Sequence, residues 1–210
     1  MPIYNLYKPN IYIFEPTVLF AKLEARFEGL SKVHLLNFAA SNQDTELVLG
    51  VMDGEASIFH EENLVRVRAI DFAAFIDRLG VPNIDLLKMN IEGAEYEILE
   101  DIVSRGQLDR FVNIQCQFHM IDNHEERYKN LIKELEKTHY LVWRFPFVWE
   151  NWTRKGEKPP SMTTLARVRK SLQNLIGLIT RGKRLVKSLV YQLVKQLFSV
   201  FGLSISRKTD

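Results

Sequence analysis

The sequence predicts an α/β protein with a mainly parallel sheet. Short runs rich in β-branched and aromatic residues alternate with segments whose apolar residues recur three and four positions apart. This is the pattern of strands alternating with amphipathic helices. The chain has 210 residues, of which 46% are hydrophobic, so it can bury a core of ordinary size. Because parallel strands need crossover connections, the alternation favours helices layered on a parallel sheet.

In the first half of the chain, three short apolar runs are predicted to be strands. They are residues 11–14, 33–38 and 66–69. Between the first two, apolar residues at helical spacing predict a helix over residues 17–29, so that strand, helix and strand form one right-handed crossover unit. Residues 41–62 are polar with short β-like pieces, and we interpret them as a strand or hairpin at a sheet edge.

The second half of the chain continues the alternation. Asp71 is predicted to cap a helix that ends at Leu79, before Gly80 and Pro82. Further helices and strands follow from the same criteria. They are the helices 93–103 and 125–138 and the strands 84–91, 111–118 and 140–145, the last of which is expected to be the final strand.

The charge is divided unevenly between two parts of the chain. Residues 161–210 contain ten Lys or Arg and one acid, whereas residues 1–160 contain 18 Lys or Arg and 25 acids. We therefore expect a domain over residues 1–152, a linker over residues 153–163 and a basic tail over residues 164–210. Apolar residues at helical spacing predict an amphipathic helix over residues 164–203 of that tail.

Two kinds of partner fit this tail. A basic amphipathic helix suits an anionic membrane surface, and it can equally dock on its own domain or on a second copy. Nucleic acid is not an expected partner, because few aromatic residues interleave with the basic ones. Residues 1–12 have no signal-peptide pattern, and no uninterrupted apolar run reaches eighteen residues. We expect a cytoplasmic protein whose tail contacts a membrane peripherally.

The single cysteine, Cys116, cannot form an internal disulfide. A lone cysteine in an apolar strand is predicted to be a small buried residue, and it makes no metal or redox motif. The simplest setting for such a chain is a reducing compartment.

Polar residues near the ends of predicted strands are the candidate functional residues, because ligands of open α/β sheets bind beyond the carboxyl ends of the strands. Glu15 follows the first predicted strand and can accept hydrogen bonds from ribose hydroxyls, or it is an ordinary turn acid before Pro16. Lys88, Asn90 and Glu92 alternate, so they are expected to share one face of their strand. The alternative makes Glu92 and Glu95 acids at the start of the next helix, with Lys88 as their salt-bridge partner.

A third candidate lies at the end of the strand over residues 111–118. Gln115, Gln117 and His119 alternate on one face of it. His119 can serve as a general base or a substrate contact in the same cleft. The alternative is a structural or solvated histidine.

These segments together resemble the FkbM methyltransferase family over about residues 4–152. The resemblance is carried by ordered segments, of which any one is weak and the combination is specific. They are IYIFEP (residues 11–16), NFAAS (37–41), RAID (68–71), IDLLKMNIEGAE (84–95), QCQFH (115–119), TH (138–139) and PFVWENW (146–152). The resemblance implies a Rossmann-like enzyme that transfers a methyl group from S-adenosylmethionine to a hydroxyl oxygen, often of a sugar or polyketide. No metal is implied.

The resemblance also implies roles for single residues. Glu15 would hold the cofactor's ribose, and a turn containing Asn37, Ala39 and Ala40 would flank the adenine. Lys88 would line the cofactor side of the methyl-transfer cleft. The expected catalytic residues are Asn90, Glu92 and His119. The family usually has Asp at the position of Asn90, and an amide is a poor proton acceptor, so any base would have to be Glu92 or His119.

The chain departs from the family pattern at its beginning. The family opens with a strand and an acidic, glycine-rich turn that cradles the methionine part of the cofactor, and no Asp-x-Gly-x-x-x-Gly-like stretch occurs in these 210 residues. We expect a truncated domain that lacks its central strand and exposes an edge near Phe14. The predicted function is O-methylation of a saccharide or related metabolite. The alternative is a non-catalytic remnant that acts as a membrane-associated or partner-binding module.

Overall fold

The computed structural model combines helices and strands in a mixed α/β fold, which confirms the α/β class. The structure describes residues 2–52, 55–57, 63–119, 124–145 and 148–157. The helices are α1 (Pro2–Tyr7), α2 (Phe20–Phe27), α3 (Phe72–Leu79), α4 (Glu95–Ser104) and α5 (His124–Thr138), with a 3-10 turn at Leu108–Arg110. The strands are β1 (Ile11–Phe14), β2 (Val33–Leu36), β3 (Ala39–Ser41), β4 (Thr45–Met52), β5 (Glu55–Ser57), β6 (Leu64–Asp71), β7 (Leu87–Met89), β8 (Asn113–Cys116), β9 (His139–Phe145) and β10 (Trp149–Arg154). Residues 12–159 form one compact unit, and α1 lies outside it.

The strands form three sheets of mixed direction. One pairs β1 with β2, the second has the order β3-β6-β4-β5, and the third has the order β7-β8-β10-β9. The pairs β3–β6 and β7–β8 are parallel, whereas the pairs that include β4 or β10 are antiparallel. The prediction of a mainly parallel sheet is therefore wrong for the described strands. Only residues 146–148 connect β9 to β10, and so short a connection joins antiparallel strands.

Strand β10 is the main element that the sequence does not predict, since the strand over residues 140–145 was expected to be the final one. It lies between β8 and β9 and pairs with both. Its residues Glu150, Asn151 and Thr153 are all buried, at 0%, 7% and 4% exposure. A strand whose polar residues are buried shows no apolar alternation, so its sequence does not mark it as a strand.

The segment before β6 also differs from its prediction. Residues 39–41, expected to form a turn, are the strand β3, which pairs in parallel with β6 from Ala39↔Ala69 to Ser41↔Asp71. The expected edge hairpin is a larger structure, because β4 pairs with β6 along residues 45–50 and belongs to a four-stranded sheet. Its own small core contains Leu49 and Val67.

The main core lies where helices α3, α4 and α5 pack against β7, β8 and β10. Its most deeply buried members come from α4, β8, β10 and the segments that flank β8. They are Tyr96, Leu99, Ile102, Phe111, Ile114, Cys116, Phe118 and Trp152, each with 0% exposure. The prediction that Cys116 is a buried strand residue is confirmed, and burial raises the pKa of its thiol well above the ordinary value. This core fixes the turn between β7 and α4 and the end of β8.

Helix α3 begins and ends as its sequence predicts. The Asp71 carboxylate accepts a hydrogen bond from the Ala74 N–H at 2.8 Å, which caps the helix. Its other oxygen pairs with Arg105 at 2.8 Å. Burial opposes the charge of Asp71, but these two partners together lower the pKa of the carboxyl. At the other end Gly80 has φ 64°, the left-handed conformation that glycine adopts without a steric penalty.

The basic tail predicted over residues 164–210, its helix predicted over residues 164–203 and most of the predicted linker lie outside the described residues. Within the described part of the chain, no helix is both long and apolar enough to cross a membrane.

His139 is a buried histidine with both ring nitrogens in hydrogen bonds. Its Nε2 lies 2.9 Å from the Phe111 carbonyl oxygen and its Nδ1 lies 2.8 Å from the Thr138 hydroxyl. A carbonyl only accepts, so Nε2 carries the proton and Nδ1 accepts from Thr138. The side chain is 1% exposed, and burial lowers the pKa of its imidazole below 6.5.

We predict that His139 makes the fold sensitive to mild acid. Because its pKa is lower in the folded state, the unfolded chain takes up the proton first as pH falls below 6.5. Folding stability should therefore fall with pH from there down to the folded-state pKa. Urea unfolding between about pH 5 and pH 7.5 should show a shallower dependence for His139→Gln. His34→Gln, which changes an exposed histidine, is the control, and an unchanged slope in His139→Gln would contradict the assignment.

Candidate active site

The candidate site lies at the carboxyl ends of the parallel strands β7 and β8. The two strands pair from Leu87↔Ile114 to Met89↔Cys116. The ladder continues one step further, because the Gln117 N–H donates to the Met89 carbonyl oxygen at 3.1 Å. The segments that leave the two strands therefore begin side by side, and both carry polar residues.

The turn after β7 is held in an unusual backbone conformation. Glu92 has φ 52° and Gly93 has φ 106°. Positive φ costs a residue with a side chain free energy of order 1–3 kcal/mol, and such strain persists where neighbouring structure imposes it. The Gly93 N–H donates to Glu95 Oε2 at 2.8 Å, which fixes the turn to the first residue of α4.

Glu95 is a buried carboxylate at the centre of the site, with 0% exposure. Its Oε1 accepts the backbone N–H of His119 at 2.6 Å and lies 3.0 Å from His119 Nδ1. Next to it on α4, the Tyr96 hydroxyl donates to the His119 carbonyl oxygen at 2.9 Å. Two successive helix residues thus hold the backbone and the ring of His119.

The contacts of His119 define its tautomer. Carboxylates accept hydrogen bonds, and Glu95 lies closer to Nδ1, at 3.0 Å, than Glu92 lies to Nε2, at 3.2 Å. In the neutral ring we therefore assign the proton to Nδ1, and Nε2 is the nitrogen that gains or loses one. Nε2 lies 3.2 Å from Glu92 Oε2 and 3.2 Å from the Gln117 amide nitrogen. The His119 side chain is 18% exposed. A histidine ring held by a buried acid in this way is able to act as a base.

The structure brings the predicted residues Glu92 and His119 together. Lys88 and Asn90 are exposed, while Leu87 and Met89 between them are buried, so the expected alternation holds along β7. Glu92 no longer belongs to that alternation, because the strand ends at Met89 and the turn at Glu92 directs its carboxylate to His119.

Lys88 contacts an aromatic ring on the surface of the same sheet. Its ammonium lies 4.8 Å from the centre of the Trp149 ring, at a distance typical of a cation–π interaction. The surrounding protein lowers the pKa of Lys88 through partial desolvation, although the side chain retains exposed surface.

The predicted cofactor-binding residues in the first half of the chain lie in β3 or directly after β1 and β2. Glu15 follows β1, and its Oε1 accepts the Thr17 N–H at 3.0 Å and the Thr17 hydroxyl at 2.6 Å. Asn37 is exposed in the connection from β2 to β3. Ala39 and Ala40 lie in β3 rather than in a turn.

Sequence reasoning missed Glu95 as the partner of His119. It identified Glu95 only as an acid in the first turn of a helix, which is a common position for acids. The pairing depends on β7 and β8 being neighbours, and one sequence gives no direct signal of it. Tyr96 was missed for the same reason.

The methyltransferase FkbM domain family model matches residues 9–159, which is more than two thirds of the chain. The chain belongs to the FkbM methyltransferase family. No curated protein and no solved structure matches it. The match covers β1 to β10 and all the predicted site residues, so the site described above is part of a methyltransferase domain.

We predict that the Glu95 carboxylate, and not merely its volume, holds this site together. In Glu95→Gln, the amide keeps one oxygen acceptor and places an NH2 donor where the other oxygen was, so either the Gly93 N–H or the His119 N–H loses its acceptor. A buried unpaired donor costs about 1–3 kcal/mol of folding free energy. Chemical denaturation measures this loss. Glu97→Gln on the exposed face of α4 is the matched control, with an expected change within about 0.5 kcal/mol. Equal stabilities for the two variants would contradict the prediction.

Proposed function

We propose that this chain is an S-adenosylmethionine-dependent O-methyltransferase with a Rossmann-like fold, and that it methylates a hydroxyl group of a saccharide or related metabolite. The observation that carries the proposal is the orientation of His119. Its Nδ1 is held by the buried Glu95, and its Nε2 lies at the carboxyl ends of β7 and β8. Ligands of open α/β sheets bind beyond such strand ends.

Methylation of a hydroxyl requires a base, because the attacking oxygen must lose its proton. His119 Nε2 is suited to take it, with the carboxylate of Glu95 stabilising the imidazolium that forms. Glu92, 3.2 Å from the same nitrogen, adds a second negative charge beside that imidazolium. General base catalysis of this kind contributes a factor of about 10² to 10⁴ in rate.

Asn90 has a different role in this scheme. Its amide can donate a hydrogen bond to the acceptor oxygen or accept one from it, but it cannot take up a proton at neutral pH. It is exposed at the end of β7, so we assign it to positioning the acceptor hydroxyl. With Asn90 excluded as a base, proton removal falls to Glu92 or His119, and we assign it to His119 because Glu95 holds its ring.

S-adenosylmethionine supplies an activated methyl group when bound. Glu15 fits its ribose, because the Thr17 contacts that fix the carboxylate both end on Oε1 and leave Oε2 in a defined position to accept from ribose hydroxyls. Asn37, Ala39 and Ala40 would flank the adenine, where small side chains leave room for a ring. Lys88 would line the cleft on β7.

We predict that the full chain binds S-adenosylmethionine and that Glu15→Gln weakens this binding about tenfold or more, because hydrogen bonds to a charged acceptor are stronger than those to an amide. Isothermal calorimetry measures the affinities, with Glu24→Gln in the exposed part of α2 as the matched control. If the unaltered chain gives no binding heat, the cofactor assignment fails. The non-catalytic, partner-binding alternative would then be favoured.

We also predict that His119→Gln lowers methyl transfer by a factor of about 10² to 10⁴ while leaving the affinity for S-adenosylmethionine unchanged. Glutamine keeps polar contacts but cannot act as a base. Methyl transfer to a panel of free and nucleotide-linked saccharides, followed by mass spectrometry, identifies an acceptor for the measurement. His34→Gln should retain full activity. A His119→Gln protein with unaltered turnover would exclude His119 as the base.

A further inference from the structure

Gln117 contacts the one nitrogen of His119 that changes its protonation. Its amide nitrogen lies 3.2 Å from His119 Nε2, in a partly buried position. Its own backbone N–H is bound to the Met89 carbonyl oxygen, so the start of the side chain is fixed by the ladder between β7 and β8. The backbone of Gln117 is therefore held in place next to His119.

The groups around Nε2 favour opposite protonation states. Glu92 Oε2, at 3.2 Å, is attracted to a protonated Nε2 and repels its lone pair. The buried charge of Glu95, at the other nitrogen, also favours the imidazolium. The Gln117 amide N–H donates to Nε2 only when that nitrogen is unprotonated, so it favours the neutral ring. The other described titratable group in contact with His119 is Tyr96, whose hydroxyl donates to the backbone carbonyl.

We propose that Gln117 is a positioning residue that keeps His119 in its neutral, base-competent form against the two carboxylates Glu92 and Glu95. This inference rests on the proposed role of His119 as a base. Without such a donor, the two flanking carboxylates favour the protonated ring, which cannot act as a base.

The test is the NMR titration of His119 in the full chain without any ligand. Gln117→Met keeps the approximate shape and removes the donor, so the titration midpoint should rise by about half a unit to one unit, the equivalent of one hydrogen bond. Gln115→Met is the matched control, because Gln115 lies two residues earlier on the same face of β8. It should leave the titration midpoint of His119 unchanged. If Gln117 only fills space, the more apolar methionine will lower the midpoint or leave it unchanged, and either result overturns the proposal.

A second measurement uses the unaltered chain and does not depend on how the variants fold. The side-chain amide signals of Gln117 should titrate with the same midpoint as the ring of His119. Amide signals that do not respond to pH across that midpoint overturn the proposal. Because neither measurement uses cofactor or acceptor, a failure here is distinct from a failure of the proposed methyl transfer. Where methyl transfer is measurable, the acidic limb of the pH–rate profile of Gln117→Met should shift to higher pH together with the titration midpoint of His119.

Discussion

The burial of the Glu95 carboxylate is the constraint on which the rest of the site depends. A carboxylate with 0% exposure is tolerated only if hydrogen bonds replace the water it has lost. Those bonds come from the Gly93 N–H on one side and from the backbone and ring of His119 on the other. The turn after β7, the start of α4 and the end of β8 are thereby fixed to one another through a single side chain.

The strained turn at Glu92 follows from this constraint. To place Gly93 N–H against Glu95, the chain must turn sharply within two residues, and Glu92 adopts φ 52° as a result. The same turn brings the Glu92 carboxylate to within 3.2 Å of His119 Nε2. The buried hydrogen bonds compensate the strain free energy of this backbone conformation. The turn also places the Glu92 carboxylate where the direction of β7 alone would not have placed it.

Local signals in the sequence predicted local features well. Asp71 and Gly80 mark the ends of α3, because capping depends on neighbouring residues only. Glu92 and His119 were identified as members of one cleft from their positions after strands. The Glu95–His119 pair was not, since it joins residues 24 positions apart. Strand β10 was missed because its buried polar residues break the apolar alternation expected of a strand. Residues 39–41 were expected in a turn from the family resemblance, and three residues carry too little pattern to predict a strand.

Glu150 is a second buried carboxylate, and its comparison with Glu95 shows that burial alone does not give a carboxylate a chemical role. Glu150, at 0% exposure, accepts from the Tyr128 hydroxyl and from Trp152 Nε1 at 3.0 Å, and it forms an ion pair with Arg144 at 2.9 Å. Burial, reinforced by the bond to Glu150, raises the pKa of the Tyr128 phenol.

The Tyr128 hydroxyl therefore keeps its proton throughout the physiological range, and the Glu150 cluster stabilises the packing of α5 against β9 and β10. Glu95 differs in its partner, an imidazole that is able to exchange a proton and keeps part of its ring at the surface. A proton on Nε2 gives this ring a positive charge next to the Glu95 carboxylate. Among the described residues, Glu95 is thus the buried acid whose partner can exchange a proton outside the core.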